Sequence, residues 1–317
     1  MLPYIIIGIV VLLLGGLVFM LIYTNKIAQA VYDDQLVKTS PEKWLRVCSA
    51  PDNEDQVDMW DTGCRWGEEN AGCMEEVHIV HDGLNLYGEF YHFGGDRCVI
   101  ILPGRCECLK YSYYFAEPYK QAGMNVLVID QRAHGKSDGK YNTIGVKEHT
   151  DLLEWVRYIG KQYGIREVWF HGICIGSASA ILAVTEADCP DIVKGIVLEG
   201  CFVSFRETFK QHMIYIKRPV IPVCDEVMLK IKHQAGGDVY RYAPIRYIGQ
   251  VKVPILFLFG KEDVFSIPEK SQLLYDTCGS EKKELVWFEQ GPHSHLRQYN
   301  MEKYDQAIID FTRKHSA

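Results

Sequence analysis

The stretch that most restricts how this chain can fold is Val168 to Ala187, VWFHGICIGSASAILAVTEA. Apolar and aromatic residues run into His171-Gly172-Ile173-Cys174-Ile175-Gly176, and small and apolar residues then recur as they do on a buried helix. A strand that turns this sharply into a helix needs glycine on both sides of the central residue, because a larger side chain would crowd the turn. The central side chain, here Cys174, is left strained and exposed at the tip.

The surrounding sequence alternates in a matching way. VHIVHDGLNLYGEFYHF, from Val77, reads as two strands around Asp82-Gly83, a hairpin signal. Buried strands follow at Cys98 to Leu102, Asn125 to Ile129, Val168 to Phe170, Gly195 to Leu198, Pro254 to Phe259 and Glu284 to Phe288. Helical patterns separate or follow them at Tyr111 to Ala122, Gly145 to Tyr163, Pro268 to Cys278 and Met301 to Lys314. Apolar strands alternating with amphipathic helices predict an α/β fold, with a mostly parallel sheet covered on both faces and the hairpin at one edge. Such sheets carry their sites at the carboxyl ends of the strands.

Ahead of this domain, residues 1–25 contain no charged side chain, and Tyr4 to Tyr23 is almost continuously apolar. About 20 such residues span a hydrocarbon core of roughly 30 Å, so a single-pass membrane anchor is expected. The alternative is a signal peptide cleaved near Ala30, where Ala28-Gln29-Ala30 resembles an A-x-A site. Residues 26–75 read as a juxtamembrane spacer with one short helix around Ala30 to Lys38. Residues 76–317 form the main domain. Within it the segment from about Phe202 to Gln250 is too long for a simple loop and predicts a small helical lid. The lid mixes Phe205, Phe209, Met213 and Tyr215 with Lys210, Lys217, Arg218, Lys230 and Lys232. These read either as an acyl pocket with basic neighbours or as ordinary packing of lid helices.

The net charge is −7 and no Lys/Arg-rich run interleaves with aromatics, which argues against a nucleic-acid partner. There are eleven cysteines. Cys98 and Cys201 sit in apolar runs as small hydrophobes, while Cys48, Cys64 and Cys73 are the candidates for disulfides. Cys106-x-Cys108 alone does not make a metal site, and neither a metal nor an organic cofactor is expected.

Three strand ends carry chemistry. Pro103-Gly104-Arg105-Cys106 follows the first buried strand, Gly260-Lys261-Glu262-Asp263 follows Phe259, and Gln290-Gly291-Pro292-His293-Ser294-His295 follows Phe288. Nucleophile, acid and histidine thus occur in an order suited to acyl transfer, with Cys174, Asp263 and His293 as candidates. Glu262 is the alternative acid and His295 the alternative base. The main-chain N–H groups of Arg105 and Ile175 are candidates for an oxyanion hole. Glu199, at another strand end, is placed either to meet substrate or to make a structural hydrogen bond.

From about Glu76 to the C-terminus these motifs resemble the α/β-hydrolases, more narrowly the membrane-anchored serine-aminopeptidase-like or dienelactone-hydrolase-like branch. The resemblance rests on Gly172 to Gly176, the Asp130-Gln-Arg-Ala-His-Gly-Lys-Ser137 turn, Pro254 to Asp263, and Gly291-Pro292-His293 ahead of Tyr304. Relatives mostly carry Ser at position 174, whereas the dienelactone-hydrolase type uses Cys. The spacing to Tyr304 favours His293 over His295, and Ala133 stands where Gly is common.

The resemblance implies hydrolysis of an ester, lactone, thioester or activated amide through a cysteinyl thioester, on a small acyl compound or short peptide. Transfer of the acyl group to an amine or thiol is the alternative enzymatic reading. A binding protein whose elbow no longer turns over is the non-enzymatic one.

Overall fold

In the computed structural model, residues 2–48 and 50–316 are described; Met1 and Ala317, the outer limits of the expected anchor and hydrolase domain, lie outside them. In chain order the helices and strands are α1 (Leu2–Leu36), α2 (Glu54–Glu69), β1 (Met74–His81), β2 (Leu84–Tyr91), β3 (Arg97–Leu102), α3 (Lys110–Tyr113), α4 (Glu117–Gln121), β4 (Asn125–Ile129), α5 (Glu148–Tyr163), β5 (Glu167–Ile173) and α6 (Ile175–Thr185). They continue as β6 (Val193–Glu199), α7 (Phe205–Tyr215), α8 (Val223–Lys230), α9 (Pro244–Tyr247), β7 (Ile255–Gly260), α10 (Pro268–Thr277), β8 (Lys283–Phe288) and α11 (Leu296–His315).

The strands form one sheet in the order β1-β2-β4-β3-β5-β6-β7-β8. β1 and β2 are antiparallel to each other, β2 is antiparallel to β4, and the pairings from β4 onward are parallel. The hairpin is at the edge, as expected. Asp82 and Gly83 both take positive φ, 50° and 73°, the backbone that a two-residue hairpin turn requires. Along β3 the side chains alternate between two cores. Cys98, Ile100 and Leu102 join Leu152, Val156 and Ile181 on one face; Val99 and Ile101 join Trp66, Tyr119 and Phe311 on the other.

Helix boundaries depart from the sequence reading where side chains compete with the ladder. The single helix expected over Tyr111 to Ala122 is broken into α3 and α4, with Pro118 in the first turn of α4, where its missing N–H costs nothing. The helix expected from Gly145 begins instead at Glu148. The Glu148 carboxylate folds back to accept the N–H groups of Thr143 and Gly145, both at 2.8 Å, and Gly145 has φ +88°. The last helix starts earlier than expected, at Leu296, and is kinked at Asn300, whose amide donates to Gln290 O and Leu296 O. The segment 202–250 does form a helical lid, built from α7, α8, a wide helical turn over Ile231–Ala235 and α9.

The larger difference lies N-terminal to the sheet, where the expected spacer is packed structure. No break separates the apolar stretch from the short helix expected at Ala30 to Lys38, since α1 is continuous. It contains a segment long and apolar enough to cross a membrane, exposed throughout, yet Ala28, Tyr32 and Leu36 are fully buried. Those three recur every fourth residue and form one face against Phe209, Val227 and Met228 of the lid. α2 is capped by Asn53, which accepts the Gln56 N–H, and carries Glu54 and Asp55 in its first turn. Gly63 and Gly67 are contact points: a Cβ at Gly63 would lie 3.0 Å from Tyr114 N, and one at Gly67 2.9 Å from the Tyr113 ring. Trp66 of α2 packs on Tyr91, Phe93 and Tyr113, and its indole donates to Glu117 at 2.9 Å.

Replacing Trp66 by Ala therefore removes a core side chain, and urea unfolding is expected to show a loss of about 3–5 kcal/mol. A detachable spacer would leave the transition unchanged.

Candidate active site

The turn between β5 and α6 is as tight as the glycine spacing predicts. A Cβ on Gly172 would collide with the backbone of Gly176 and Ser177, and one on Gly176 would collide with Leu102. Cys174 sits between them at φ 52° and ψ −107°, a conformation costly for any L-residue other than glycine. It is held from below. Cys174 N–H donates to Glu199 O at 2.9 Å, and Ser177 Oγ donates to Gly172 O at 2.6 Å. The side chain is half-buried and borders both the lid cluster and the sheet core.

Two further strand ends converge on it. After β7, Asp263 Oδ1 accepts the N–H groups of Phe265 and Ser266, each at 2.8 Å, while Oδ2 lies 2.7 Å from His293 Nδ1. Burial alone would raise the Asp263 pKa, but the charge of His293, its hydrogen bond and the two amides bring it below the usual carboxylate value. For His293, burial disfavours the charged ring. Asp263 and Cys174, with the hydrogen bonds to them, outweigh that and hold its pKa well above the ordinary imidazole value.

The alternatives named from the sequence are occupied elsewhere. Glu262 accepts the Gly291 N–H at 3.0 Å and so ties down the histidine loop, and His295 Nδ1 lies 2.7 Å from His293 O.

The end of β3 abuts the elbow, since a Cβ on Gly176 would collide with Leu102. The main-chain N–H groups of Arg105 and Ile175 have no hydrogen-bond partner among the described residues. The Arg105 guanidinium instead reaches Gln35 of α1. The Asp130 to Ser137 turn braces the loop after β3: Gln131 Nε2 donates to Pro103 O at 2.6 Å, and His134 Nε2 accepts the Cys106 N–H at 3.3 Å. Burial lowers the His134 pKa to about 4, so the ring is neutral and can accept there. Ala133, where glycine is usual, holds φ 65°.

Sequence reasoning missed Glu107 and the partners of Glu199. Glu107 accepts the Gly104 N–H at 2.7 Å, and burial pushes its pKa up to about 7; its signal was a carboxylate three residues after an unpaired loop amide, the spacing of a capping box. The Glu199 group lies under the site. Glu199 accepts the Leu296 N–H at 3.2 Å and the Tyr304 hydroxyl, and Tyr304 Oη lies 3.1 Å from His171 Nε2. Of the two readings of Glu199, the structural hydrogen bond is the one observed. His171 Nδ1 has no partner among the described residues. A bare lone pair costs less there than an unmet N–H, which assigns the proton to Nε2 and makes Tyr304 the relay to Glu199.

No cluster of His, Cys, Asp and Glu suited to a metal occurs among the described residues. All eleven cysteines are unpaired, so Cys48, Cys64 and Cys73 form no disulfide.

An eight-stranded, mostly parallel sheet with an antiparallel edge, a glycine-flanked elbow after β5, and Asp and His loops after β7 and β8 leaves one architecture. The chain has the α/β-hydrolase fold. Residues 97–213 match the family model described as alpha/beta hydrolase fold. Among curated proteins it is similar to the uncharacterized protein YqkD of Bacillus subtilis, 26% identical over 208 residues, which cover 64% of this chain and 65% of that one. It is also similar to the protein bem46 of Schizosaccharomyces pombe, 28% identical over 197 residues, 61% of this chain and 59% of that one. Each match thus spans less than two thirds of the relative's length. Among solved structures, the Pyrococcus furiosus esterase Pf2001 superposes with a TM-score of 0.65 at 23% identity, covering 79% of this chain and 94% of the esterase. A monoacylglycerol lipase from Paleococcus ferrophilus gives 0.56 at 20% identity, covering 73% and 99%.

The Glu199 environment within this α/β-hydrolase fold has a pH signature. Burial raises its pKa from 4.5 to about 7, outweighing the Tyr304 and Leu296 hydrogen bonds. The folded state therefore binds this proton more tightly than the unfolded chain, and the group's contribution to stability falls as pH rises from 4.5 to about 7. Glu199→Gln keeps an acceptor for Leu296 and removes the titration. Relative to the parent, the variant is expected to gain roughly 1–3 kcal/mol between those limits and to show no further change above them, read from urea unfolding across pH.

Proposed function

We propose that this protein is a membrane-anchored acyl hydrolase in which Cys174 is the nucleophile, His293 the general base and acid, and Asp263 the group that orients the histidine. The observation that carries this reading is the hydrogen bond between His293 Nδ1 and Asp263 Oδ2, 2.7 Å, beside a cysteine held at φ 52° on the elbow. With Nδ1 committed to Asp263, Nε2 is the nitrogen left to exchange a proton with sulfur and then with the leaving group. Cys174 also stands immediately before α6, at the helix end whose free N–H groups attract negative charge that develops in the reaction.

Attack of the thiolate on an acyl carbon makes the C–S bond and a tetrahedral oxyanion. The N–H groups of Arg105 and Ile175 are the donors assigned to that oxygen. Collapse expels the alkoxide or thiolate, which takes the proton from His293, and leaves a thioester on Cys174. Water, deprotonated by His293, attacks the thioester; the C–S bond breaks and the carboxylate departs. Esters, lactones, thioesters and activated amides fit this course, because their leaving groups compete with departure of the cysteine thiolate. The apolar stretch of α1 is read as the membrane anchor, on its length, composition and exposure.

Brief exposure of the full chain to activated acyl esters is expected to add one acyl mass, mapped to Cys174, with turnover that disappears in Cys174→Ala. A parent protein that takes no acyl group while iodoacetamide still alkylates Cys174 would argue for a binding protein. Asp263→Asn is expected to slow acylation by about 10²–10⁴ through loss of the histidine's orientation and charge partner, measured as single-turnover release of the leaving group.

A further inference from the structure

α8 of the lid lies along α1 where α1 leaves the domain. Thr24 Oγ1 donates to Glu226 Oε1 at 2.8 Å, Lys230 Nζ to Asn25 Oδ1 at 2.8 Å, and Gln234 Nε2 to Gln29 Oε1 at 3.3 Å. The pairs advance together along both chains, so the two segments run in the same direction. The start of α8 therefore lies roughly one helical turn, ~5 Å, beyond Thr24 toward the apolar stretch. There α1 is largely free of cover: Tyr23, Ile22 and Leu21 are all at least half exposed.

What the lid presents at this level is apolar and cationic. The end of α7 and its connection to α8 expose Ile214, Tyr215, Ile216 and Ile221, the last 80% exposed. Lys217 and Arg218 stand between them and have no ion-pair partner among the described residues. Other lid cations are paired, Arg206 with Asp225 at 2.6 Å and Lys232 with Asp238 at 2.7 Å. Exposed isoleucine and tyrosine flanked by unpaired Lys and Arg suit the layer where acyl chains meet anionic headgroups. This surface also leads inward. Tyr215 packs on Phe265 at 5.4 Å, and Phe265 packs edge-on against His293 at 5.4 Å.

We propose that residues 214–222 and the start of α8 are a membrane-docking surface that inserts into the headgroup layer of an anionic phospholipid bilayer, and that acyl lipids resident in that layer are the substrate class of the Cys174 site. The docking rests on the anchor assigned above, and the substrate class on the hydrolase reading. α1 fixes the height of the lid above the bilayer, and the loop of α7 and α8 completes the contact.

Hydrogen exchange of the full chain in phosphatidylcholine nanodiscs, with and without phosphatidylglycerol, tests the docking without requiring turnover. Amides over 214–221 are expected to exchange about tenfold more slowly in the phosphatidylglycerol discs than in detergent, and Lys217→Glu with Arg218→Glu is expected to abolish the difference. Incorporation into discs with no slowing overturns the docking while leaving the anchor intact; failure to incorporate overturns both. Slowing in detergent that grows with protein concentration means that a second copy covers the loop, and also overturns the docking.

For the substrate class, Ile214→Asp with Ile221→Asp is expected to leave turnover of a water-soluble acetyl thioester within about twofold and to lower that of a long-chain acyl ester in phosphatidylglycerol vesicles about tenfold. Equal loss on both, or on neither, overturns the bilayer-resident substrate. A parent protein inactive on every acyl compound overturns the hydrolase reading and that substrate with it, while the exchange experiment still decides the docking.

Discussion

The carboxyl edge of the sheet depends on how closely α6 approaches β3 and β5. Gly172 faces the backbone of Gly176 and Ser177, and Gly176 faces Leu102, with no room for a Cβ in either place. That contact is what drives Cys174 to φ 52° and lifts its side chain out of the sheet. The strain is local, and the hydrogen bonds from Cys174 N–H to Glu199 O and from Ser177 Oγ to Gly172 O hold the turn against it. One change at either glycine would move the cysteine, the first turn of α6 and the loop after β3 together.

Two buried carboxylates near the same imidazole are shifted in opposite directions, and their partners explain why. Asp263 receives two main-chain N–H groups and a histidine that can carry charge, so its ionised form is favoured despite burial. Glu199 receives one N–H and a neutral phenol, so burial prevails and its pKa rises to about 7. The first environment keeps a negative charge beside His293. The second disfavours charge at the base of the site while still tying β6 to the start of α11, one residue beyond His295.

The N-terminal quarter of the chain shows how packing overrides composition. Residues 26–75, of mixed polarity, read as a spacer with one short helix, because composition does not say which residues share a face. In the folded chain Tyr32 and Leu36 close the lid core, Trp66 closes the core under α11, and Gly63 and Gly67 let α2 approach α3. Arg105, singled out for its main-chain N–H, turns its side chain to Gln35 of α1, so the apolar helix also touches the loop beside Cys174.

By itself the sequence determined the α/β layering, the edge hairpin at Asp82-Gly83, the glycine-flanked turn at Cys174 and the strand ends at which Asp263 and His293 stand. Those features follow from local periodicity and from backbone conformations open to few residues. Only the tertiary structure shows which side chains meet: Asp263 lies 2.7 Å from His293, while Glu262 turns to the Gly291 N–H and His295 to His293 O, because near neighbours in the chain differ in direction. It alone also made α1 one continuous helix braced on the lid, and assembled Glu199, Tyr304 and His171 from three distant segments. Hydrogen bonds between residues more than a hundred positions apart leave no periodic trace in the chain, so burial and partners become visible only once it is folded.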